Sequence, residues 1–260
     1  MKITGETNQL NAAKLAGAGV VYYRALVSTN TTARRLAEKG AANGTAVAAE
    51  EQRRGRGRHG RAWASAPGKG LYFSLILRPR VLKAAAAAPV TLAAGASLAT
   101  TLRQETGLPV KIKWPNDLLL YGRKIGGILS ELKNGPESVD YLVIGVGLNI
   151  NHDTADFTPE LRAKASSLKA ASGRSFERTA LLLASLDKLR EDCRLFFEAG
   201  FAPFRQLWLD LNETLGKSVT VTSWSGETIR GRALDLDQNG ALLIEEHPGA
   251  VREVCFGEVQ

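Results

Sequence analysis

The middle of the chain carries strand-like runs with little sequence between them. These runs are Val110–Lys113, Leu118–Tyr121, Lys124–Leu132 and Tyr141–Ile150. Parallel neighbouring strands need a crossover connection of roughly a dozen or more residues, usually a helix. The short connections therefore predict an α+β fold with a largely antiparallel or mixed sheet, rather than a doubly wound parallel one.

Further strands and helices are expected on both sides of this meander. Strand-like runs occupy Val20–Val27, Thr45–Glu50 and Leu71–Leu77. Helical patterns occupy Ala33–Lys39, Pro89–Glu105, Phe176–Glu198 and Ala202–Leu211. In the third of these helices, apolar side chains that include Cys193 recur on one face, so this cysteine is expected in the core.

The last part of the chain changes to short β-rich runs separated by turn residues. The runs are Ser218–Ser223, Thr228–Leu234, Ala241–Glu245 and Val251–Phe256. We therefore predict two domains, a larger one over residues 1–214 and a small C-terminal β-barrel over residues 215–260. The segment Asp235–Glu246 also fits a calcium-loop pattern, but strand-like runs on both sides favour a hairpin turn at Asn239-Gly240.

Positive charge is concentrated in one loop. The chain carries 34 Lys and Arg against 26 Asp and Glu, a net charge of +8. Five arginines and one acid lie between Glu51 and Arg61, so half of this excess comes from one short segment. Glycine and arginine dominate Gln52–Gly68, where no periodicity survives. A long structureless loop in a compact domain is typical of a functional lid, and we expect this one to hold an anionic ligand.

Other features limit where the protein works. No apolar block of signal-peptide length opens the chain, and the alanine-rich stretch Ala84–Leu102 is interrupted by proline, threonine and glycine. The two cysteines, Cys193 and Cys255, lie far apart and suggest neither a disulfide framework nor a zinc site. A cytoplasmic protein without membrane contact is expected.

Polar groups recur at the predicted strand ends and tight turns, where they can converge over a sheet. They are Ser28-Thr29-Asn30, Gln52 with the Gly/Arg loop, Lys113–Asp117, Arg123–Gly127 and Gly145–Asn149. Hydroxyl, amide and guanidinium groups can recognise a small polar head, and arginines with glycine N–H groups can hold phosphates. No histidine accompanies a Ser or Cys nucleophile. Catalysis by positioning and charge stabilisation, as in nucleotidyl transfer, is therefore favoured over a covalent acyl-enzyme.

These segments resemble those of the biotin–protein ligases. The resemblance lies in STN at Ser28–Asn30, EEQRRGRGRHGRAW at Glu50–Trp63, KWPNDLLL at Lys113–Leu120, GRKIGGILSEL at Gly122–Leu132 and VIGVGLNIN at Val143–Asn151. With the C-terminal β segment they cover nearly the whole chain. The resemblance implies a catalytic domain like that of class II aminoacyl-tRNA synthetases. It also implies a two-step reaction in which biotin and ATP give biotinyl-5′-adenylate. A lysine of a biotin carboxyl carrier protein, by default the acetyl-CoA carboxylase subunit, then takes the biotinyl group.

The resemblance also implies roles for individual residues. The ureido ring of biotin would be contacted by Ser28, Thr29, Asn30 and Gln52. The loop residues Arg56, Gly57 and Arg58 would close over biotin and the adenylate phosphate. Lys124 would touch the biotin carboxylate and the α-phosphate. Asp117 would orient an expected Mg²⁺ or help deprotonate the acceptor amine; the metal ligands stay open.

Three alternatives accompany this interpretation. A lipoate–protein ligase shares the broad fold and chemistry, but its family has a different glycine-rich motif in place of GRGRHGR. A nucleic-acid-binding module would use stacking aromatics, which Arg53–Arg61 lacks. Gly55–Gly60 fits the dinucleotide pattern G-x-G-x-x-G, but no helix pattern follows it.

Only 27 residues precede Ser28, so we expect no N-terminal DNA-binding domain and no specific DNA. The oligomeric state, monomer or homodimer, stays open.

Overall fold

A seven-stranded mixed sheet forms the larger part of the protein. The computed structural model describes residues 9–222, 226–255 and 257–259. Along the sheet the strands follow the order β1-β2-β5-β9-β8-β7-β6, and only the β1–β2 pair is parallel. Their bounds are β1 Val20–Leu26, β2 Ala46–Gln52, β5 Gly70–Leu77, β6 Lys111–Lys113, β7 Asp117–Leu120, β8 Arg123–Asn134 and β9 Val139–Asn149. The predicted α+β class and the meander through β6–β9 are confirmed.

Eight α-helices surround this sheet in the described part of the chain. They are α1 Ala12–Gly17, α2 Thr29–Glu38, α3 Ala84–Ala87, α4 Val90–Thr106, α5 Pro159–Arg162, α6 Leu168–Ser172, α7 Arg178–Ala199 and α8 Ala202–Leu211. Helix α2 begins four residues before the predicted start, because Ser28 occupies its extended N-cap position. Helix α4 ends where Gly107 adopts a left-handed conformation with φ of 71°. Helices α1, α3, α5 and α6 were not predicted, since each is too short to show a helical period.

The two faces of the sheet are covered unequally. Helices α4, α7 and α8 pack together on one face and enclose the main core, where Cys193 is buried as predicted. Helix α2 covers the other face mainly over β2, β5 and β9, with Val47, Ile76 and Val143 beneath it. The side chains of β6, β7 and β8 on that second face are therefore left for a cavity.

The C-terminal segment forms a five-stranded antiparallel sheet. Its strand order is β13-β12-β11-β10-β14, with bounds β10 Ser218–Thr222, β11 Thr228–Leu236, β12 Leu242–His247, β13 Ala250–Val254 and β14 Glu258–Val259. The β strands are confirmed, but the predicted barrel is not, because β13 and β14 lie at opposite ends of this order. The final residues predicted for two strands, Ser223 and Phe256, lie outside the described residues.

The β11–β12 connection is a hairpin turn, as predicted, and not a calcium loop. Asp237 accepts hydrogen bonds from the N–H groups of Asn239 and Ala241 at 2.8 and 2.7 Å. These bonds use the Asp237 carboxylate to close the turn, and antiparallel pairing of β11 with β12 flanks it.

The C-terminal sheet is held against the edge strand β6. The backbone N–H of Trp114 donates to Thr214 Oγ1 at 2.9 Å, and its indole N–H donates to the Gly240 carbonyl at 3.1 Å. Arg205 on α8 pairs with Asp235 at 2.6 Å. These contacts place the C-terminal sheet beside the open half of the second sheet face.

Within the described ranges, the helices are all too short or too polar to cross a membrane. Both cysteines are free, Cys193 in the core and Cys255 at the surface.

Candidate functional site

A cavity of about 580 Å³ occupies the open half of the second sheet face. Every residue that the sequence predicts for the site lines it. These residues are Ser28, Thr29, Asn30, Gln52, Arg56, Gly57, Arg58, Asp117 and Lys124. They come from the start of α2, the end of β2, the Gly/Arg segment, and strands β7 and β8, so the fold brings together groups that are dispersed over about 100 positions of sequence.

One end of the cavity is a buried polar network around the start of α2. Asn30 Nδ2 donates to the Leu129 carbonyl at 3.1 Å and to Glu131 Oε2 at 2.8 Å. The Ser74 hydroxyl donates to Asn30 Oδ1 at 2.6 Å and also lies 2.8 Å from the Thr29 hydroxyl oxygen. The amide of Asn30 is therefore held on both sides, and this fixes its orientation at the cavity wall.

Thr29 and Gln52 form the second part of this network. Gln52 Oε1 accepts from the Thr29 N–H at 2.8 Å and from its hydroxyl at 3.1 Å, and Gln52 Nε2 donates to Ser65 Oγ at 3.0 Å. Ser28 occupies the N-cap position of α2, but its side chain makes no cap hydrogen bond. Among the described residues, the Ser28 hydroxyl has no side-chain hydrogen-bond partner, so it is available to a ligand.

Glycines form the cavity floor because larger residues would collide with the side chains above them. A Cβ atom at Gly145 would lie 1.9 Å from Asn30 Oδ1, and one at Gly147 would lie 2.6 Å from the Trp63 ring. Gly147 pairs with Gly127 across β9 and β8. The glycines therefore allow Asn30 and Trp63 to pack directly on the sheet, in addition to allowing close approach of a ligand.

A cation and a carboxylate face each other at the centre of the cavity. Lys124 Nζ lies 2.6 Å from Asp117 Oδ1 and 5.6 Å from the centre of the Trp63 ring. The indole N–H of Trp63 is buried and has no hydrogen-bond partner among the described residues. The sequence left Trp63 and Trp114 undecided between core and site. Trp63 lines the cavity, whereas Trp114 joins the two sheets as a buried core residue, although part of its surface also borders the cavity.

The Gly/Arg segment was predicted to be structureless, but it is folded onto the cavity. It contains the short strands β3 Gly55–Arg56 and β4 Ala62–Trp63, which pair with each other, and one 3₁₀ turn between them. Arg56 pairs with Glu131 at 2.9 Å. Hydrogen bonds to distant strands thus order a segment that has no periodic pattern of its own.

Two further arginines connect this segment to the other walls of the cavity. Arg58 Nη1 donates to Asn116 Oδ1 at 3.1 Å, and burial lowers the pKa of this guanidinium. Arg61 forms a bidentate ion pair with Glu258 on β14, and this hydrogen-bonded pairing holds the pKa of Glu258 below its usual range. Among the described residues, the Arg58 guanidinium has a neutral hydrogen-bond partner and no ion-pair partner, so it can bind an anionic ligand without breaking a salt bridge.

A buried ion pair supports the cavity from behind. Glu50 and Arg178 lie 2.9 Å apart, with side chains 5% and 3% exposed. Glu50 also accepts hydrogen bonds from the N–H groups of Leu10 at 2.5 Å and Gly68 at 3.2 Å. The pair therefore fastens the end of the Gly/Arg segment and the chain before α1 to the sheet.

The described residues contain no cluster of three or more His, Cys, Asp or Glu side chains able to hold a metal ion. Asp117 is the aspartate that lines the cavity, and it is paired with Lys124. Mg²⁺ is commonly held by one or two carboxylates together with substrate phosphates, so a single aspartate is compatible with this ion.

Two residues that hold cavity side chains in place were not predicted as part of the site. Ser74 lies in the middle of an apolar strand, and a lone hydroxyl at a buried position was the signal that could have found it. Glu131 lies inside one of the motifs above but had no assigned role. Only the fold shows that its carboxylate accepts hydrogen bonds from both Asn30 and Arg56.

Comparison with known proteins agrees with this geometry. The family model for the biotin/lipoate A/B protein ligase family matches residues 22–149, and that for the biotin protein ligase C terminal domain matches residues 214–260. The bifunctional ligase/repressor BirA of Bacillus subtilis is 35% identical over 95% of this chain and 75% of its own length. The biotin--[acetyl-CoA-carboxylase] ligase of Paracoccus denitrificans is 31% identical over 88% of this chain and 97% of its own length.

Among solved structures, the chain is similar to a biotin protein ligase from Aquifex aeolicus in complex with biotin and ATP. The TM-score is 0.79 at 30% identity, over 93% of this chain and 97% of that one. The fold and site thus define a protein ligase of the biotin/lipoate type. The chain belongs to the biotin protein ligase family, and the predicted enzyme class, a biotin ligase, is confirmed.

Proposed function

We propose that the chain adenylates biotin with ATP, releases pyrophosphate, and transfers the biotinyl group to a specific lysine of a biotin carboxyl carrier protein. The observation that supports this most strongly is the arrangement of one continuous cavity. A network of hydroxyl and amide groups, anchored on the Glu131 carboxylate, lies at one end, and Lys124 and Arg58 line the rest of the cavity. This sequence of groups suits an acid whose neutral polar head and carboxylate lie far apart.

The ureido ring of biotin is neutral and both donates and accepts hydrogen bonds. Ser28, whose hydroxyl does not cap α2, and the ordered amides of Asn30 and Gln52 offer complementary groups. Thr29 fixes Gln52 through two hydrogen bonds. Because these amides are already oriented by protein partners, binding costs little side-chain entropy.

The carboxylate of biotin must approach the negatively charged α-phosphate of ATP, and the two repel each other. Lys124 supplies a positive charge between them, and the Gly/Arg segment closes over the phosphate with the guanidinium groups of Arg56 and Arg58. The Gly57 N–H already donates to the Arg61 carbonyl at 2.7 Å, so Gly57 contributes close approach of the backbone and not a free donor. A fixed cation at this point stabilises the charge that develops on the phosphate oxygens during attack.

Asp117 restrains Lys124 in the free enzyme through their 2.6 Å contact. We assign it one of two further roles: orienting Mg²⁺ on the ATP phosphates or accepting a proton from the acceptor lysine. Bound Mg²⁺ would neutralise phosphate charge, with Asp117 as its protein ligand.

The wider context also belongs to this proposal. By analogy with the named function of the Paracoccus relative, the acceptor is the carrier subunit of acetyl-CoA carboxylase. We also propose two domains, residues 1–214 and 215–260, a cytoplasmic location, no specific DNA partner, and either a monomer or a homodimer.

The test is biotin-dependent exchange of labelled pyrophosphate into ATP by the purified chain. Lys124→Ala should reduce this exchange by about 10²–10³-fold, because a cation is lost where charge develops. Lys133→Ala is the matched control, since Lys133 lies on the same strand β8 but outside the cavity. Exchange with lipoate instead of biotin would show that the substrate is lipoate and not biotin. Absence of exchange with either acid, in folded protein, would refute the proposal.

A further inference from the structure

Glu131 on β8 contacts a cavity residue but does not itself line the cavity. Its carboxylate accepts hydrogen bonds from Asn30 Nδ2 at 2.8 Å and from Arg56 Nη2 at 2.9 Å, and Arg34 Nη1 lies 3.4 Å away. The Glu131 side chain is 23% exposed. Neither the motif resemblance nor the proposed reaction gives this carboxylate a role.

The Glu131 carboxylate decides which way the amide of Asn30 faces. Carboxylates and backbone carbonyls can only accept hydrogen bonds, and an asparagine nitrogen has two hydrogens to donate. Asn30 Nδ2 donates one to Glu131 at 2.8 Å and the other to the Leu129 carbonyl at 3.1 Å. Asn30 Oδ1 must therefore point the other way, where the Ser74 hydroxyl donates to it at 2.6 Å. Both N–H groups of Asn30 are used, so this side chain can only accept a hydrogen bond from a ligand.

Gln52, at the same end of the cavity, is held in the opposite sense. Its Oε1 accepts from the backbone N–H of Thr29 at 2.8 Å, so its Nε2 must face away from that group. Gln52 Nε2 donates one hydrogen to Ser65 Oγ at 3.0 Å and keeps a second one. This end of the cavity thus combines an acceptor from Asn30 with a donor from Gln52.

We propose that Glu131 is a positioning residue that determines substrate specificity. By holding Asn30 Nδ2, it makes Asn30 an acceptor and selects acids whose polar head donates an N–H group. This inference rests on the function proposed above. The ureido ring of biotin carries two N–H groups beside a carbonyl, whereas the dithiolane ring of lipoate carries none. A head that offers only an acceptor would place its lone pair against that of Asn30 Oδ1, with no hydrogen between them.

The first arm of the experiment varies the ligand. The probes are the two cyclic carbamate analogues of biotin, in each of which one ureido N–H is replaced by oxygen. In acid-dependent pyrophosphate exchange, one of them should have a kcat/KM about 100-fold below that of biotin, because its ring oxygen faces Asn30 Oδ1. The other carbamate keeps the N–H at this position and should be used more efficiently. Equal use of all three acids by the wild type would overturn the proposal without any variant.

The second arm varies Glu131. Glu131→Gln keeps the size of the side chain, but its amide can donate as well as accept, so Asn30 can turn either end toward the ligand. The preference for biotin over the poorer carbamate should fall to about 10-fold or less. Any effect through Arg56 cancels in this ratio, because the acids share the same carboxylate and form the same kind of adenylate. Glu131→Asp keeps an obligatory acceptor and should restore part of the preference.

Arg34→Gln is the matched control, since it removes another partner of the same carboxylate and Arg34 does not line the cavity. This variant should keep the wild-type preference. A wild-type preference in Glu131→Gln, or an equal loss of preference in Arg34→Gln, would show that Glu131 does not act by orienting Asn30. Failure of the proposed function is a different result, because the wild type itself would then show no biotin-dependent exchange.

Discussion

Replacement of Gly145 by alanine tests whether the orientation of Asn30 creates the biotin end of the cavity. The added Cβ would lie 1.9 Å from Asn30 Oδ1 and 2.6 Å from its Cγ, so the amide must move. Gly145 does not have a positive φ, and alanine is therefore strained by this contact and not by its backbone conformation.

The expected magnitude follows from the bonds that Asn30 makes. Movement of its amide breaks hydrogen bonds with Ser74, with the Leu129 carbonyl and with the charged Glu131 carboxylate. Two neutral bonds at about 1 kcal/mol each and one charged bond at about 2 kcal/mol give an upper limit of about 4 kcal/mol in stability. Losing a single well-oriented contact to biotin should weaken binding by about 10- to 100-fold.

Isothermal titration with biotin and urea denaturation would measure the two effects. Asn30→Ala should weaken biotin binding to a similar extent, and combining it with Gly145→Ala should add little, because both changes remove the same group. Gly17→Ala is the matched control, since a Cβ there meets nothing within 4 Å. Wild-type biotin affinity in Gly145→Ala, or full additivity with Asn30→Ala, would refute the reasoning.

Two further predictions concern buried charge. Arg178→Met should lower the free energy of unfolding by about 3–5 kcal/mol, because it leaves Glu50 buried without its partner. Adding Glu50→Gln should restore part of that loss in urea denaturation, and no restoration would mean that the ion pair is not the cause. Burial lowers the pKa of His152 to about 4. The unfolded chain then binds a proton below pH 6.5 that the folded chain does not, so stability should fall by about 3 kcal/mol from pH 6.5 to pH 4. His152→Asn should reduce this pH dependence, and an unchanged slope would contradict the assignment.

Much of the fold could be predicted from local patterns. Each end of the four meander strands and of the long helices α4 and α7 was predicted to within two residues. Their apolar periods span several turns or pleats, so the pattern is clear in the sequence. The short helices α1, α3, α5 and α6 escaped prediction, since one turn of helix carries no period. Closure of the C-terminal strands into a barrel was predicted from short strand-like runs and the turns between them, which do not specify how edge strands pair.

The candidate site was predicted as a set of residues but not as a set of contacts. The resemblance named nine residues for the site, and all nine line one cavity. Nothing local indicated that Ser74 would orient Asn30, or that Arg61 would pair with Glu258 at a separation of 197 positions.

The sequence by itself determined the kinds and order of the longer elements, the cationic Gly/Arg segment and the resemblance to a biotin ligase. Those properties depend on neighbouring residues, whose spacing is visible in the chain. The tertiary structure decided which charges are paired and which, like that of Lys113, have no partner in the part of the chain that the structure describes. It also decided that the C-terminal sheet borders the cavity, because such contacts depend on how distant strands pack and the sequence carries no periodic signal for them.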